Sequence, residues 1–252
     1  MSSRGIFVVA GLGDGSGTGA ASARLFSKAG YHVALIARGS TGTTQKLADE
    51  LKAAGGEAAP FPIPEYSYKA VQDAFGAIRQ HWPNTDIRVA LYNAGVGAFK
   101  PFFEVTEEDL SRVLDSNVNA AFAFARETLT AFKGQSLDDN GKRGTLIFTG
   151  ATASLRGNVT TSAFATGKFA LRALAQSLSK EFGKQNIHVA HAIIDGQIAT
   201  GIQKGRHDED WNENPDIKLE PNSIAKSYLY LAEQDRSAWT FELDLRPAHE
   251  KW

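Results

Sequence analysis

The feature that most constrains the fold is a glycine-rich turn between an apolar run and an amphipathic run near the N-terminus. The sequence IFVVAGLGDGSGTGAASARLFSK predicts a buried strand, a sharp turn and then a helix. In such a turn a pyrophosphate approaches the backbone closely, and the start of the helix offers it free N–H groups. A glycine spacing alone is weak evidence, but this context favours a dinucleotide site. The glycines are Gly11, Gly13, Gly15, Gly17 and Gly19.

The same alternation of short apolar runs and helical patterns continues to the end of the chain. The apolar runs are nearly continuous and rich in β-branched residues, which is typical of strands covered on both faces. Strand and helix in regular alternation predict right-handed crossovers and a parallel sheet. A proline-rich run is a weaker third strand, suited to the sheet edge. The predicted strands are 5–11, 32–38, 57–64, 87–95, 144–150, 187–196 and 238–247, and the predicted helices are 18–29, 43–54, 68–81, 107–132, 163–184 and 222–233.

Composition narrows the class of protein. A chain of 252 residues with 42% hydrophobic residues suits one globular domain over 1–252. The net charge of −1 gives no reason to expect nucleic acid or a membrane surface as partner. The absence of cysteine excludes disulfides and thiolate metal sites, and we expect no metal site from the histidines. The first apolar run is too short for a membrane span or a signal peptide, so we expect a cytoplasmic protein.

The end of the second predicted strand indicates which dinucleotide binds. An acidic residue there would bind the ribose hydroxyls of NAD, but the strand ends with Arg38, and Ser40 follows closely. A guanidinium suits a 2′-phosphate, so NADP(H) is the predicted cofactor.

Four features occur in the order found in short-chain dehydrogenases/reductases: the glycine turn, YNAG at 92–95, SNVNAAF at 116–122 and a helix that carries Lys168. The chain resembles that family over nearly its full length. The resemblance implies a Rossmann-type, doubly wound α/β fold with a seven-stranded, mostly parallel sheet between helices. It also implies that Asn117 holds a water in a proton relay and that Lys168 binds the nicotinamide ribose. The cofactor residues it implies are Gly11, Gly13, Ser16, Gly17, Thr18, Gly19, Arg38, Ser40, Asn93, Gly95, Lys168, Gly196, Ile198 and Thr200.

The departures from the family pattern concern the chemistry. The family has a tyrosine four residues before the lysine, and this chain has Phe164 there; the family serine falls on Ala151. The glycine turn is also two residues longer than usual. A positioned general acid contributes about 10²- to 10⁴-fold in rate, so losing both hydroxyls without replacement would be severe. Candidate replacements are the hydroxyls of Thr149, Thr152 and Ser154, the ammonium of Lys168 and the carboxylate of Asp195.

Three functions therefore stay open. The first is an NADP(H)-dependent oxidoreductase that acts on a small carbonyl, alcohol, C=N or C=C substrate with a non-standard proton donor. The second is a catalytically degenerate NADP(H)-binding sensor or scaffold. The third is a lyase, epimerase or isomerase. The polar segment 203–221 is predicted to be a substrate lid, because loops after strand ends bind ligands in such folds. The resemblance further implies a homodimer or homotetramer.

Overall fold

The computed structural model describes residues 4–39 and 42–250. Its strands form one seven-stranded sheet in the order β3-β2-β1-β4-β5-β6-β7, and every neighbouring pair is parallel. The predicted fold class is confirmed, and β3 is an edge strand as expected. The strands are β1 Ile6–Ala10, β2 His32–Arg38, β3 Ala58–Ile63, β4 Ile87–Tyr92, β5 Gly144–Thr149, β6 Ile187–Ile194 and β7 Glu242–Leu245.

Helices cover both faces of this sheet. The described helices are α1 Thr18–Lys28, α2 Gly42–Ala53, α3 Tyr68–His81, α4 Glu107–Leu114, α5 Ala120–Lys133, α6 Ser162–Phe182, α7 Gly201–Lys204, α8 Glu209–Glu213 and α9 Pro221–Glu233. Alternate residues of a strand point to opposite faces, so each central strand supplies both layers of the core. Ile6 and Val8 pack on the side of α3, α5 and α6, whereas Phe7 and Val9 pack on the side of α1, α2 and α9. The rings of Phe7 and Phe26 stack with centroids 4.0 Å apart and fix α1 to β1.

The strand order creates a crevice beside β1. The chain builds β1, β2 and β3 in one direction and then returns to place β4 on the other side of β1. The connections that leave β1 and β4 therefore diverge, and a gap opens at the carboxyl ends of these two strands. Ligands of open α/β sheets bind at such a switch point.

One long predicted helix, 107–132, is interrupted. It consists of α4, a π-helical turn over Asp115–Asn119, and α5. A π-helical turn inserts an extra residue into the helical ladder and frequently marks a functional site. This turn brings Asn117, which is fully buried, against the loop that follows β4.

The polar segment 203–221 is not the irregular loop that its composition suggested. It contains the end of α7, all of α8 and a 3₁₀ turn over Pro215–Ile217. Lys218 is buried and its ammonium donates to the backbone carbonyls of Trp211, Asn212 and Asn214. The sequence reading missed this because a lysine that satisfies three carbonyl groups has no periodic signature. The last strand is also shorter than predicted and spans only Glu242–Leu245.

Two buried histidines lie on β6. Nε2 of His188 lies 2.9 Å from the carbonyl oxygen of Thr240, and its ring stacks on Trp239. Nδ1 of His191 lies 3.0 Å from a carboxylate oxygen of Glu242. Burial lowers the pKa of each histidine to about 4. Among residues 4–39 and 42–250 no cluster of His, Asp or Glu side chains has the arrangement of a metal site. No helix in these ranges is long and apolar enough to span a membrane.

We predict that acid destabilises the protein through these histidines. Between pH 4 and 6.5 the unfolded chain binds protons that the folded chain excludes, so the free energy of unfolding falls as the pH falls through this window. A pKa lowered from 6.5 to about 4 corresponds to about 3 kcal/mol per histidine. Urea unfolding at several pH values should therefore show a smaller acid loss for His188→Gln than for wild type. His249→Gln, at an exposed position, is the control and should keep the wild-type slope; equal slopes in all three proteins would contradict the prediction.

Candidate active site

A cleft of about 790 Å³ lies at the carboxyl ends of β1, β4, β5 and β6. This volume is in the range of about 300–1,000 Å³ that is typical of ligand sites. Apart from Ser16 and from Ser40, which lies outside the described residues, every predicted cofactor residue lines the cleft: Gly11, Gly13, Gly17, Thr18, Gly19, Arg38, Asn93, Gly95, Lys168, Gly196, Ile198 and Thr200. Three of the proposed catalytic positions besides Lys168 also line it, namely Ala151, Thr152 and Phe164, whereas Asn117 lies behind the wall.

The glycine turn is packed too closely for side chains at two positions. A Cβ on Gly19 would lie 2.0 Å from the carbonyl oxygen of Gly11, and one on Gly11 would lie 2.4 Å from the backbone nitrogen of Ala94. Gly11 also has a positive φ of 97°, which favours glycine. The turn and the start of α1 therefore lie directly against β4. Gly17, Thr18 and Gly19 at the start of α1 line the cleft, and the unbonded N–H groups of a helix N-terminus are suited to bind a phosphate.

Side-chain hydrogen bonds connect the strand ends that form the floor of the cleft. Nδ2 of Asn93 donates to the carbonyl oxygen of Gly11 at 2.8 Å. The hydroxyl of Thr149 donates to Oδ1 of Asn93 at 3.0 Å and lies 2.9 Å from the hydroxyl of Tyr228. This chain of contacts connects β1, β4, β5 and α9. Tyr228 was missed in the sequence because an α9 tyrosine looks like any other core aromatic.

The glycine turn contacts the start of α7 through Ser16. The hydroxyl of Ser16 donates to Asp14 at 2.5 Å and accepts the N–H of Gly201 at 2.7 Å. The Ser16 hydroxyl holds the pKa of Asp14 below its ordinary value. Ser16 is thus engaged with the segment after β6, and it does not line the cleft.

Arg38 lies at one end of the cleft. It is exposed, and its guanidinium carbon lies 5.9 Å from the centre of the Tyr66 ring. Tyr66 is buried and donates its hydroxyl hydrogen to the carbonyl oxygen of Ile36. No ion pair involving Arg38 occurs within the described ranges. Its charge is therefore available at the rim.

Lys168 lies at the other end, on α6. Its side chain is buried, and Nζ donates to the carbonyl oxygen of Thr149 at 2.9 Å. Nζ would lie 3.4 Å from a Cβ on Gly95, and it lies 5.8 Å from the centre of the Phe164 ring. Burial lowers the pKa of Lys168 to about 8. The same Cβ position on Gly95 would lie 3.2 Å from Oδ1 of Asn117, whose side-chain amide both donates to and accepts from the backbone of Val96.

The wall between Lys168 and the open mouth is aromatic. Phe164 is half-buried, and its ring centre lies 5.1 Å from that of Phe99, which is 63% exposed. The Phe99 ring folds over Gly97, where a Cβ would lie 2.4 Å from a ring carbon. Ile202 and Gln203 of α7 line the opposite side of the mouth. Phe99 was not predicted as a site residue, although the aromatic-rich stretch FKPFFE after β4 could have indicated it.

Thr152 faces the cleft, but its hydroxyl hydrogen is directed away from it. The hydroxyl donates to Oδ1 of Asp195, which is buried. Oδ2 of Asp195 lies 2.7 Å from Nη1 of Arg246 and 3.6 Å from Nη2 of Arg156. Ala151 carries no polar side-chain atom, and its N–H donates to the buried hydroxyl of Ser154 at 3.1 Å.

The comparisons with known proteins agree with this arrangement. A family model described as short chain dehydrogenase matches residues 7–211. The chain belongs to the short-chain dehydrogenase family. A short-chain dehydrogenase from Rhodopseudomonas palustris is 32% identical, with a TM-score of 0.77 over 97% of this chain and 99% of that chain. A metagenomic short-chain oxidoreductase in complex with NADP is 23% identical, with a TM-score of 0.78 over 98% of this chain and 99% of that chain, and shows the same fold.

Two curated relatives align over less of their own length. L-2,3-butanediol dehydrogenase of Corynebacterium glutamicum is 33% identical over 114 residues, which are 45% of this chain and 42% of that protein. The uncharacterized oxidoreductase YxnA of Bacillus subtilis (strain 168) is 27% identical over 247 residues, which are 91% of this chain and 63% of that protein. This chain thus spans less than two thirds of either relative.

We predict that Gly19→Ala destabilises the protein, since the new Cβ would meet the backbone oxygen of Gly11 at 2.0 Å. Overpacking of this kind typically lowers the free energy of unfolding by about 1–3 kcal/mol. Gly76→Ala, within α3 and with open space around the new Cβ, is the control and should raise it by up to about 1 kcal/mol. Denaturant unfolding measures both changes. Equal effects of the two substitutions would show that the close approach is absent.

Proposed function

We propose that the protein is an NADP(H)-dependent oxidoreductase that transfers hydride to or from a small carbonyl, alcohol, C=N or C=C substrate. The observation that carries this proposal is one cleft with a tightly packed glycine turn in its floor, the exposed guanidinium of Arg38 at one end and the buried amine of Lys168 at the other. Membership of the short-chain dehydrogenase family supports a nicotinamide cofactor.

The residues fit that cofactor. Gly11 and Gly19 let the turn pack closely against the chain after β4, and Gly13 lines the cleft with open space around it. The N-terminus of α1, which could bind a pyrophosphate, follows directly. Arg38 would hold a 2′-phosphate, and Lys168 would hold the ribose of the nicotinamide. Gly196, Ile198 and Thr200 would lie along the nicotinamide. When bound, the nicotinamide supplies or accepts the hydride, which needs no acid from the protein.

NADP(H) is favoured over NAD(H) by the end of β2. Arg38 is positively charged and exposed, and no carboxylate follows it at the cleft rim within the described residues. A guanidinium forms strong paired hydrogen bonds with a phosphate. The metagenomic relative was solved with NADP, which agrees with this assignment.

The other end of the cleft suits a small, largely apolar substrate. Phe99, Phe164 and Ile202 provide apolar surface at the mouth. We infer that the segment 203–221, together with the start of α7, is the substrate lid. Its contact with the glycine turn through Ser16 and Gly201 supports this role.

We infer that Phe164 and Ala151 take the places of the family tyrosine and serine. Neither side chain donates a hydrogen bond, so carbonyl reduction here uses another acid or a substrate that needs none. An iminium carbon, for example, accepts hydride without forming an alkoxide. This inference also supports a second candidate function, a nucleotide-binding protein that has lost turnover.

A homodimer or homotetramer also remains a proposal. Phe122 on α5 is 50% exposed, and a shallow groove beside it runs between α5 and α6. The groove is lined by apolar side chains that include Leu129, Leu174 and Leu178. A second copy would cover this surface. A cytoplasmic location and a single domain over 1–252 likewise remain predictions from the sequence.

Binding of NADPH should raise the melting temperature more than binding of NADH. At a concentration 100-fold above Kd, a ligand stabilises by about 2.7 kcal/mol, or about 5–10 °C for a chain of this size. Arg38→Ala should lower the NADPH shift to that of NADH, because the phosphate loses a charged partner. Arg236→Ala is the control, as Arg236 is exposed in the α9–β7 loop at the opposite edge of the sheet. Equal shifts for both nucleotides in wild type would remove the case for NADP(H).

Phe164→Tyr separates the two candidate functions. If the site works as proposed, wild type reduces a panel of ketones or imines, and the substitution lowers the rate several-fold by placing a hydroxyl in the apolar wall beside Phe99. If wild type is inactive and Phe164→Tyr creates ketone reduction, the protein is a degenerate nucleotide binder. Phe169→Tyr, on the same helix but outside the cleft lining, is the control. NADPH oxidation measured by absorbance reports each rate.

A further inference from the structure

We propose that Lys168 is the catalytic proton donor of this protein, and that its ammonium protonates the oxygen of a carbonyl substrate directly. The proposal rests on the proposed function and deepens it by naming the acid. It follows from comparing the polar groups that reach this end of the cleft in the described part of the chain.

Thr152 and Asp195 do not suit the role. The Thr152 hydroxyl already donates its hydrogen to Asp195, so it offers only lone pairs to the cleft. Asp195 accepts the Thr152 hydroxyl hydrogen and lies 2.7 Å from Arg246 and 3.6 Å from Arg156. It is buried and is not part of the cleft lining, so its carboxyl group does not reach a substrate.

Asn117 and Ser154 are also occupied. Both polar atoms of the Asn117 side chain bond the backbone of Val96, and the side chain is fully buried behind the cleft wall. The Ser154 hydroxyl accepts the N–H of Ala151, and the residue is fully buried and is not part of the cleft lining, so its hydrogen does not reach a substrate. The hydroxyl of Thr149 is taken up by Asn93 and Tyr228.

Lys168 remains. An ammonium has three N–H donors, and one of them bonds the carbonyl oxygen of Thr149. Nζ lies at the cleft wall next to Gly95 and under the edge of the apolar surface formed by Phe164. Because Phe164 stands one turn before Lys168, no phenol lies beside the ammonium, and Lys168 itself lines the cleft.

The charged groups that the structure describes around Lys168 have partners of their own, so none of them stabilises the protonated form of the lysine. On β6, His191 is buried and its pKa is lowered to about 4, so it is neutral above that pH. Asp195 pairs with arginines, and Glu242 on β7 pairs with Arg172.

The carboxylates on the α4 side of Lys168 also have other partners. Asp109 pairs with Lys100 and Arg112, and Asp115 accepts a hydrogen bond from the Asn119 amide. No ion pair in the described ranges stabilises the ammonium of Lys168, and burial lowers its pKa to about 8.

Ketone reduction in this site would combine a hydride addition with a proton transfer from Lys168. The carbonyl carbon gains the hydride that the cofactor supplies, and the π pair of the C=O bond moves to oxygen. An Nζ–H bond of Lys168 breaks and an O–H bond forms, which leaves a neutral amine and an alcohol. The amine then takes a proton from water. Reduction therefore needs the protonated lysine, and its rate should fall as the pH rises through the pKa of Lys168.

The experiment compares two substrates of similar shape in wild type, Lys168→Met and Lys168→Arg. 1-Tetralone needs a proton on its oxygen, whereas the N-methyl-3,4-dihydroisoquinolinium ion takes hydride at carbon and needs none. Arginine keeps a charge that can bond the ribose, but its guanidinium does not release a proton in proteins. We expect both variants to lose about 10²- to 10⁴-fold more rate with the ketone than with the iminium ion. Wild-type ketone reduction should fall above pH 8, and iminium reduction should not.

Two further measurements distinguish loss of the proton donor from loss of cofactor binding. NADPH melting shifts report cofactor binding in each variant, and NMR of lysine-labelled wild type, with Lys168→Arg for assignment, reports the titration of Lys168. Equal losses for both substrates, or a Lys168 titration above about pH 10, would overturn the proposal while leaving the oxidoreductase function intact. NADPH binding without turnover of either substrate would overturn the proposal and favour the degenerate binder. Absence of NADPH binding in wild type would overturn the proposed function itself.

Discussion

The close approach of the glycine turn to β4 is the constraint on which the rest of the site depends. Because Gly11 and Gly19 have no side chains, α1 begins directly beside the strand that follows the switch in sheet order. Asn93 then reaches the carbonyl oxygen of Gly11, and Thr149 reaches Asn93, so three neighbouring strands end in register around one floor. A side chain at Gly11 or Gly19 would separate the strands and leave the partly buried amide of Asn93 without its partner, which is unfavourable.

The same floor explains the electrostatic character of the cleft. The carbonyl oxygen of Thr149 lies at the end of β5 and accepts a hydrogen bond from Lys168. One bond to a neutral carbonyl does not replace the hydration that the ammonium loses on burial, and the charged form is therefore disfavoured. Asp195, at the end of the next strand in the sheet order, is buried too but has two arginines nearby. These two buried groups therefore differ: Asp195 has charged partners, whereas burial without an ion pair in the described ranges lowers the pKa of Lys168.

The sequence was sufficient for the architecture and for most of the cleft lining, for a physical reason. Parallel strands buried on both faces are continuous apolar runs, and the carboxyl ends of such strands meet at one edge, so residues such as Arg38 and Lys168 were expected to converge. Contacts made by single polar groups over long sequence distances were not predictable. The bond from Ser16 to α7, the three carbonyls on Lys218 and the hydroxyl of Tyr228 on the cleft floor depend on side-chain geometry that leaves no periodic pattern.

The extended glycine turn also affects how the cleft opens. Since the hydroxyl of Ser16 accepts the first N–H of α7, any outward swing of that short helix breaks a bond to the turn on the opposite bank. A neutral hydrogen bond contributes about 0.5–1.5 kcal/mol net, enough to favour the shut arrangement by a few-fold to about tenfold. Ser16 thus ties the glycine turn to the start of α7 across the crevice, and an outward displacement of α7 would carry the energetic cost of breaking that bond.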